Sequence, residues 1–284
     1  MATEAEQQLR AYVEYFCDLG VYEFYRRGEP VFAVEEPAPP AVIQTAPAPT
    51  SPAKPVERPA VAAAKPDIEE PPIAKLVSFN DLAPLPAEIV PASERAAALL
   101  TVQNEIGDCT RCPLAYLGRH KIVFGDGDPN ARLMFVGEGP GADEDAQGLP
   151  FVGKAGQLLN NMIAAMGLKR EEVYIANIVK CRPPNNRVPE PAEANVCTQF
   201  LLSQMDIVRP EIVVALGATA ALYLLGVKRS VSALRGHWHT CRGAKLAVTY
   251  HPAFLLRDPR QKAEAWKDLQ MVMAEMGLKP PAKR

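Results

Sequence analysis

The sequence of 284 residues contains no apolar run long enough to cross a membrane. Its most apolar stretch, residues 212–227, is interrupted by Gly217 and is shorter than the ~20 residues that a membrane helix needs. The acidic residues 1–6 are not followed by the apolar segment that a secretory signal requires. We therefore expect a cytoplasmic protein.

Cysteine is scarce, with six residues in the chain, but four of them fall in two pairs. In a reducing compartment such pairs are more often metal ligands than disulfides. Cys109 and Cys112 have the two-residue gap that lets both thiolates reach one centre, whereas Cys181 and Cys197 are separated by fifteen residues and need the chain to fold back. Four thiolates at one centre indicate zinc or an iron–sulfur cluster, and the spacing alone leaves both open. The other two cysteines are expected to be plain thiols.

The net charge of −2 conceals an asymmetry between the two parts of the chain. Residues 1–94 contain 7 Lys and Arg against 15 Asp and Glu, whereas residues 95–284 contain 24 against 18. A basic globular part favours a polyanionic partner such as nucleic acid, although a basic surface without a partner gives the same count.

The composition divides the chain into three regions. Residues 1–27 carry an apolar pattern at three- and four-residue steps that predicts an amphipathic helix, a possible docking element for a protein partner. Residues 28–93 hold 15 of the 28 prolines and predict a disordered Pro/Ala-rich linker. Residues 94–284 predict the folded domain, which we expect to be a monomer.

This domain alternates short apolar runs with helix-like stretches, after a first predicted helix over residues 96–107. Such alternation predicts parallel strands in a three-layer α/β/α sandwich around a four-stranded, mainly parallel sheet. The predicted strands are residues 133–136, 173–178, 212–216 and 246–249.

Ligands collect at the carboxyl ends of the strands in such sheets. The first strand runs into the glycine-rich turn Gly137-Glu-Gly-Pro-Gly141, where a ligand can touch bare backbone. Asn177 lies at the end of the second strand and His251 just after the fourth. We therefore expect Glu138, Asn177 and His251 to converge on one rim.

These residues belong to a set of segments that resembles the iron–sulfur uracil-DNA glycosylases, family 4 of the uracil-DNA glycosylase superfamily. The resemblance covers roughly residues 95–275, and the segments follow the order of the family. They are Cys109-Thr-Arg-Cys112-Pro113, Gly137-Glu-Gly-Pro-Gly141 with Glu144-Asp145, Gly148-Leu-Pro-Phe151-Val-Gly153, Asn177-Ile-Val-Lys-Cys181-Arg-Pro-Pro184, Arg235-Gly236 and His251-Pro-Ala-Phe-Leu-Leu-Arg257.

The resemblance implies an enzyme that turns uracil out of DNA into a pocket and hydrolyses its glycosidic bond, leaving an abasic site. Phe151 would stack on the extruded base, Asn177 would recognise its Watson–Crick edge, and His251 would donate a hydrogen bond to uracil O2. The backbone of Gly137 and Gly139 would approach the base.

The resemblance leaves the roles of the acidic residues open. Glu138 or Asp145 would orient the attacking water, because this turn lacks the aspartate that several relatives outside family 4 place there. Glu144 or Asp145 would exclude the methyl group of thymine. A solvated loop charge is the alternative for all three.

Contacts to DNA are implied by the same segments. Lys154 and Arg257 would meet phosphates, and Leu255 or Leu256 would fill the gap left in the duplex. The loop after the second strand contains Arg187 but no histidine or insertion for the covalent chemistry of a related group, so it would be a DNA-contact loop at most.

Under this resemblance, Cys109, Cys112, Cys181 and Cys197 would hold a 4Fe–4S cluster with a structural role, zinc being the alternative occupant. Two other functions remain as rivals to the enzyme. One is a non-catalytic iron–sulfur module that binds uracil or nucleic acid, and the other is a redox carrier.

Overall fold

A computed structural model of the protein describes residues 78–279. Its strands are β1 (Asp126–Gly127), β2 (Leu133–Gly137), β3 (Tyr174–Asn177), β4 (Ile212–Leu216), β5 (His239–Cys241) and β6 (Ala244–Thr249). Its α-helices are α1 (Phe79–Leu82), α2 (Arg95–Ile106), α3 (Ala142–Gln147), α4 (Lys154–Ala165), α5 (Pro191–Val208), α6 (Ala218–Leu225), α7 (Val231–Leu234), α8 (Pro252–Arg257) and α9 (Lys262–Met276).

The six strands form one sheet in the order β1-β3-β2-β4-β6-β5. The four central strands pair in parallel, and the two edge strands pair antiparallel. This confirms the α/β fold and the four parallel strands that the apolar runs predict, but the sheet has six strands rather than four. The two edge strands were not predicted, because they are only two and three residues long and are not fully buried.

Helices cover both faces of the sheet because its central strands are apolar on both sides. Met134 and Val136 of β2 pack in a core with side chains of α2, α5 and α6. Leu133 and Phe135 of the same strand point the other way and pack with α4 and α9. Since both faces are buried, the sheet can present ligand-binding residues only at its edges and strand ends.

Residues 78–85, which belong to the predicted linker, are folded onto the β5–β6 hairpin. Phe79 is fully buried, and the Asn80 side chain exchanges hydrogen bonds with the backbone of Thr240 and Arg242. Arg242 also donates to the carbonyls of Ala83 and Pro84. The described part of the chain is therefore already folded at residue 78, ahead of the predicted boundary at 94. The predicted helix of residues 1–27 and the linker up to residue 77 lie outside the described residues.

Between residues 78 and 279, no helix is both long and apolar enough to span a membrane.

Candidate active site

A cavity of about 660 Å³ opens at the carboxyl edge of the sheet. The ends of β2, β3, β4 and β6 meet there, because parallel strands all point the same way. Glu138, Asn177 and His251, which were expected to converge, all line this cleft. Other lining residues include Gly139, Glu144, Phe151, Lys154, Arg187, Thr219 and Arg257.

Asn177 lines the cleft at the end of β3. It is 2% exposed, and its Oδ1 has no hydrogen-bond partner within the described part of the chain. A buried carbonyl oxygen without a partner costs about 1–3 kcal/mol, so a ligand that supplies an N–H group recovers that free energy. The arrangement therefore favours a ligand with a hydrogen-bond donor at this point.

Gly137 does not line the cleft itself, but its lack of a side chain allows Asn177 and Phe151 to lie close together. A Cβ atom at this position would lie 2.4 Å from Asn177 Oδ1 and 2.6 Å from Phe151 Cζ. Only glycine leaves room for both side chains, so its role is to provide space behind the cleft.

The backbone conformation of Phe151 holds its ring at the side of the cleft. Its φ of +51° is in the left-handed region that phenylalanine seldom adopts. Arg170 donates to the carbonyls of Pro150 and Phe151 at 2.6 Å and 3.1 Å, and Gly156 leaves the Phe151 carbonyl room that a Cβ would fill. The Phe151 ring lies 5.6 Å from the His251 ring, so an aromatic wall and an imidazole border the same space.

His251 caps the amino end of α8, where its Nδ1 accepts a hydrogen bond of 3.1 Å from the backbone N–H of Ala253. Nδ1 is therefore unprotonated, and the neutral ring carries its proton on Nε2. Burial, and then the positive charge of Arg257, lower the pKa of His251 to about 4 against an opposing effect of Glu144. The imidazole is thus a neutral N–H donor at pH 7.

Glu138 lines the cleft directly after β2. Its Oε2 accepts a hydrogen bond of 2.5 Å from the hydroxyl of Thr219, near the start of α6. A hydroxyl proton fixes one carboxylate oxygen, so the other remains available to a water or ligand in the cleft. Thr219 was not predicted as a site residue, since one threonine at the start of a helix carries no signal in a single sequence.

The acidic neighbours Glu144 and Asp145 have different surroundings. Glu144 accepts hydrogen bonds from the backbone N–H groups of Gly141, Val152 and Gly153, so it clamps the two loops that border the cleft. Asp145 is fully buried away from the cleft lining.

Asp145 is bound to the segment at His120. Its carboxylate accepts from the backbone N–H groups of His120 and Lys121 and lies 2.6 Å from His120 Nδ1. Burial raises its pKa, but the hydrogen bonds from His120 and Lys121 outweigh that effect and lower it. The structure therefore argues against Asp145 as the residue that orients a water or excludes a methyl group.

The side chains predicted to contact DNA differ in their exposure and in whether another residue already binds them. Lys154 and Arg257 are exposed at the cleft, whereas Arg187 is bound by two short hydrogen bonds to the buried Glu193. Leu256 is 43% exposed, but Leu255 points inward and is 1% exposed. Of the two leucines predicted as a wedge, the exposure favours Leu256, because α8 turns the side chain of Leu255 towards the protein interior.

A second cavity lies beyond the carboxyl end of β3. All four predicted cysteines line it together with apolar side chains and Lys180. The backbone N–H of Lys180 lies 3.2 Å from Cys197 Sγ, and Arg119 Nη1 lies 3.5 Å from Cys181 Sγ. These contacts lower the pKa values of the two thiols, but burial outweighs them, so the pKa of Cys181 is raised and that of Cys197 is raised to about 12. A metal group would therefore itself have to stabilise the thiolates that bind it.

The donor set of this cavity fits a group bound by four thiolates, which is the chemistry of an iron–sulfur cluster. The two pairs come from different elements, since Cys197 lies on α5 and Cys109 follows α2. Across residues 78–279, no three His, Cys, Asp or Glu side chains are arranged to hold a single metal ion.

Comparison with known proteins identifies the family. Residues 124–270 match the family model described as the uracil DNA glycosylase superfamily. The chain is 48% identical over 161 residues to the type-4 uracil-DNA glycosylase of Thermotoga maritima, covering 55% of this chain and 82% of that protein. It is 38% identical over 188 residues to the type-4 uracil-DNA glycosylase of Archaeoglobus fulgidus, covering 63% and 94%. The chain therefore belongs to the type-4 uracil-DNA glycosylases of the uracil DNA glycosylase superfamily.

Proposed function

We propose that the protein binds uracil turned out of DNA and hydrolyses its N-glycosidic bond, releasing free uracil and leaving an abasic site for base excision repair. The observation that carries this proposal is the cleft in which Asn177, Phe151 and His251 face one space. Membership of the type-4 family supports the same reaction.

Asn177 would recognise the base. Its carboxamide can accept from uracil N3–H while it donates to O4, and its Oδ1, which has no partner among residues 78–279, needs such a donor. Cytosine presents the opposite polarity at both positions, so its binding would leave buried groups unpaired at about 1–3 kcal/mol each. Phe151 would stack against the ring and hold it in the cleft.

His251 would stabilise the departing base. As the glycosidic bond breaks, negative charge develops on uracil O2, and the neutral Nε2–H can donate to it. The fixed donor does not need to reorganise during the reaction, since Ala253 already holds Nδ1. Loss of one such donor typically costs about 3–4 kcal/mol.

Glu138 would orient the attacking water. The oxygen that Thr219 leaves available can accept a hydrogen bond from a water near the sugar. The hydroxyl of that water bonds to C1′ of the sugar and its proton leaves with uracil, so the products are the free base and the abasic site. Glu144 would shape the cleft through its backbone contacts.

Cys109, Cys112, Cys181 and Cys197 would hold a 4Fe–4S cluster. When bound, the cluster would join the segment after α2 to the loop after β3 and to α5, which is a structural role. Zinc remains the competing occupant, and an iron and sulfide determination on the purified protein distinguishes the two.

Lys154 and Arg257 would contact DNA phosphates, with Leu256 as the apolar side chain that enters the duplex. Arg187 would contribute through its loop, since Glu193 already binds its guanidinium. We also propose a monomeric, cytoplasmic protein whose residues 1–27 bind a protein partner.

The test is a glycosylase assay on oligonucleotides that contain uracil, hypoxanthine or a thymine mismatch, followed by alkaline cleavage. Sub-stoichiometric protein should convert excess uracil substrate completely. A binding module would retain the DNA without turnover, and a redox carrier would show no dependence on His251. Intact substrate in the presence of cluster-loaded protein would contradict the proposal.

A further inference from the structure

Lys180 is a buried lysine that the proposed reaction does not use. Its side chain is 1% exposed and lies between the cleft and the cysteine cavity. Nζ donates to the backbone carbonyl of Asn177 at 2.9 Å and to Gln204 Oε1 at 2.6 Å. Both of these polar contacts of the ammonium group are to neutral oxygens rather than to a carboxylate.

The carbonyl of Asn177 needs such a donor because the sheet does not provide one. The antiparallel edge strand β1 pairs with Tyr174 and Ile175 of β3 and stops there. Asn177 lies two residues beyond that pairing, where the ammonium group of Lys180 replaces the missing strand. The side of the Asn177 backbone that faces away from β2 is therefore held by a side chain, while the other side pairs with Gly137 of β2.

Gln204, which accepts the other hydrogen bond from Lys180, lies on the helix that carries Cys197. It lies on α5 seven residues, about two turns, after Cys197, so both side chains are on one face of the helix. Its Nε2 donates to the carbonyl of Phe124 at 2.9 Å and to the hydroxyl of Tyr174 at 3.1 Å. Gln204 is thus fully paired and has little freedom to move.

Lys180 also touches the cysteine cavity directly. Its backbone N–H lies 3.2 Å from Cys197 Sγ, and the next residue is Cys181. One residue therefore contacts a cysteine through its main chain and Asn177 through its side chain. If the segment that carries Cys181 were displaced, the Lys180 ammonium group that holds Asn177 would move with it.

We propose that Lys180 and Gln204 are positioning residues that hold Asn177 in place for uracil and link its position to the cysteine cavity. The proposal rests on the proposed function, in which Asn177 recognises the base. Neither residue touches the substrate, so both act through Asn177. A lysine that served packing alone would be replaceable by an apolar side chain of similar length without loss of base recognition.

The test is a double-mutant cycle of Lys180→Met and Asn177→Ala in the full-length protein, with iron and sulfide determined for each variant. Lys180→Met is expected to slow single-turnover uracil release by about tenfold, at roughly 1.4 kcal/mol per decade. In the Asn177→Ala background the same change should cost less than about twofold, because residues that act through one another are not additive. Lys228→Met, the same change at an exposed lysine, is the matched control.

A binding experiment tests the same inference without requiring turnover of the substrate. Affinity is measured for single-stranded oligonucleotides that carry one non-cleavable 2′-fluoro-deoxyuridine or one deoxycytidine. Lys180→Met should reduce the preference for the uracil probe about tenfold. If the wild-type protein releases no uracil, the proposed function fails, while this experiment still decides the role of Lys180.

Two results would overturn the inference. One is a Lys180→Met variant with normal iron content and wild-type preference for uracil, and the other is an equal loss in both backgrounds of the cycle. If Lys180→Met does not fold, Gln204→Met removes the same link from α5 and is expected to cost about threefold, again only when Asn177 is present. An additive loss for Gln204→Met overturns the inference as well.

Discussion

The end of β3 and the segment after it contribute residues to both the cleft and the cysteine cavity, but the linings of the two sites differ. Asn177 belongs to the cleft and Cys181, four residues later, to the cavity. The cleft is open, and its Asn177 Oδ1 has no partner among the described residues. In the cavity, apolar side chains surround the sulfurs and N–H groups already face two of them. The cleft is thus suited to a ligand that comes and goes, and the cavity to a group that stays.

The strongest way to break this comparison is to remove a sulfur from the cavity. Cys197→Ser replaces a thiolate by a hydroxyl, a poor ligand for iron, at a buried position on α5. We expect loss of nearly all iron and a lower melting temperature, because the binding free energy of a metal group also stabilises the fold. Iron and sulfide analysis and thermal unfolding measure both effects.

Cys241→Ser is the matched control for that change. Cys241 is equally buried but lies on β5, outside the cavity, where its Sγ faces the carbonyl of Leu224. This variant should keep its full iron content. Equal iron in the two variants would show that the four cysteines do not form the binding site.

In the cleft, the largest effect is expected from His251→Ala. The variant loses the Nε2–H donor, for which about 3–4 kcal/mol corresponds to a rate of uracil release reduced by two to three decades. Single-turnover kinetics provides the measurement. Iron content should remain unchanged, in contrast to the cysteine variant.

His239→Ala is the control for a general effect of removing an imidazole. His239 lies on the edge strand β5, and its Nε2 contacts the carbonyl of Leu234 rather than the cleft. Its excision rate should match that of the wild-type protein. If both variants lose the same activity, the assignment of His251 as the donor is wrong.

A smaller effect tests how the acidic residue of the cleft is oriented. Thr219→Val removes the hydroxyl that donates to Glu138 but keeps the shape of the side chain. The loss of one hydrogen bond to a charged group, about 1.5–3 kcal/mol when fully removed, sets the upper limit. Because Glu138 stays in place, we expect a three- to tenfold lower rate of release, at about 1.4 kcal/mol per decade, with unchanged affinity for DNA.

Thr219→Ser retains the hydroxyl and should restore most of the rate lost in the valine variant. The comparison separates the hydrogen bond from packing, since both variants change the size of the side chain only slightly. A serine variant as slow as the valine variant would mean that packing at α6, not the orientation of Glu138, limits the rate.

The cleft and the cavity also differ in what a single sequence can predict. The fold followed from the apolar runs, and β4 was predicted at its observed bounds, 212–216, because a fully buried strand is apolar throughout. The four cysteines were grouped from their spacing. The sequence did not distinguish Glu144 from Asp145, because the difference arises from His120, 25 residues away in the chain.

The roles of Leu255, Lys180 and Gln204 could not be predicted from the sequence for the same reason. Leu255 and Leu256 are neighbours in sequence, and only the packing of α8 decides which of them is buried. The contact of Lys180 with Gln204 spans 24 residues and joins two elements. Sequence patterns reveal periodicity along one element, whereas these roles depend on how elements meet.

The pH dependence tests the cleft without removing a side chain. Folding lowers the pKa of His251 from its ordinary 6.5 to about 4. Between these values the unfolded chain binds a proton that the folded protein does not, so stability is complete above pH 6.5 and falls as the pH drops towards 4. The slope from this residue is at most about 1.4 kcal/mol per pH unit.

Unfolding by denaturant at pH 7.5 and pH 5 should therefore show a larger loss of stability at the lower pH for the wild-type protein than for His251→Ala. The rate of uracil release, by contrast, should show no inflection near pH 6.5 that can be assigned to His251, because the ring stays neutral throughout this range. An inflection near pH 6.5 that disappears in the alanine variant would mean that the imidazole titrates normally. In that case burial in the cleft would not be what keeps His251 a neutral donor, and the contrast between the two sites would have to rest on Asn177 Oδ1, which has no partner among the described residues.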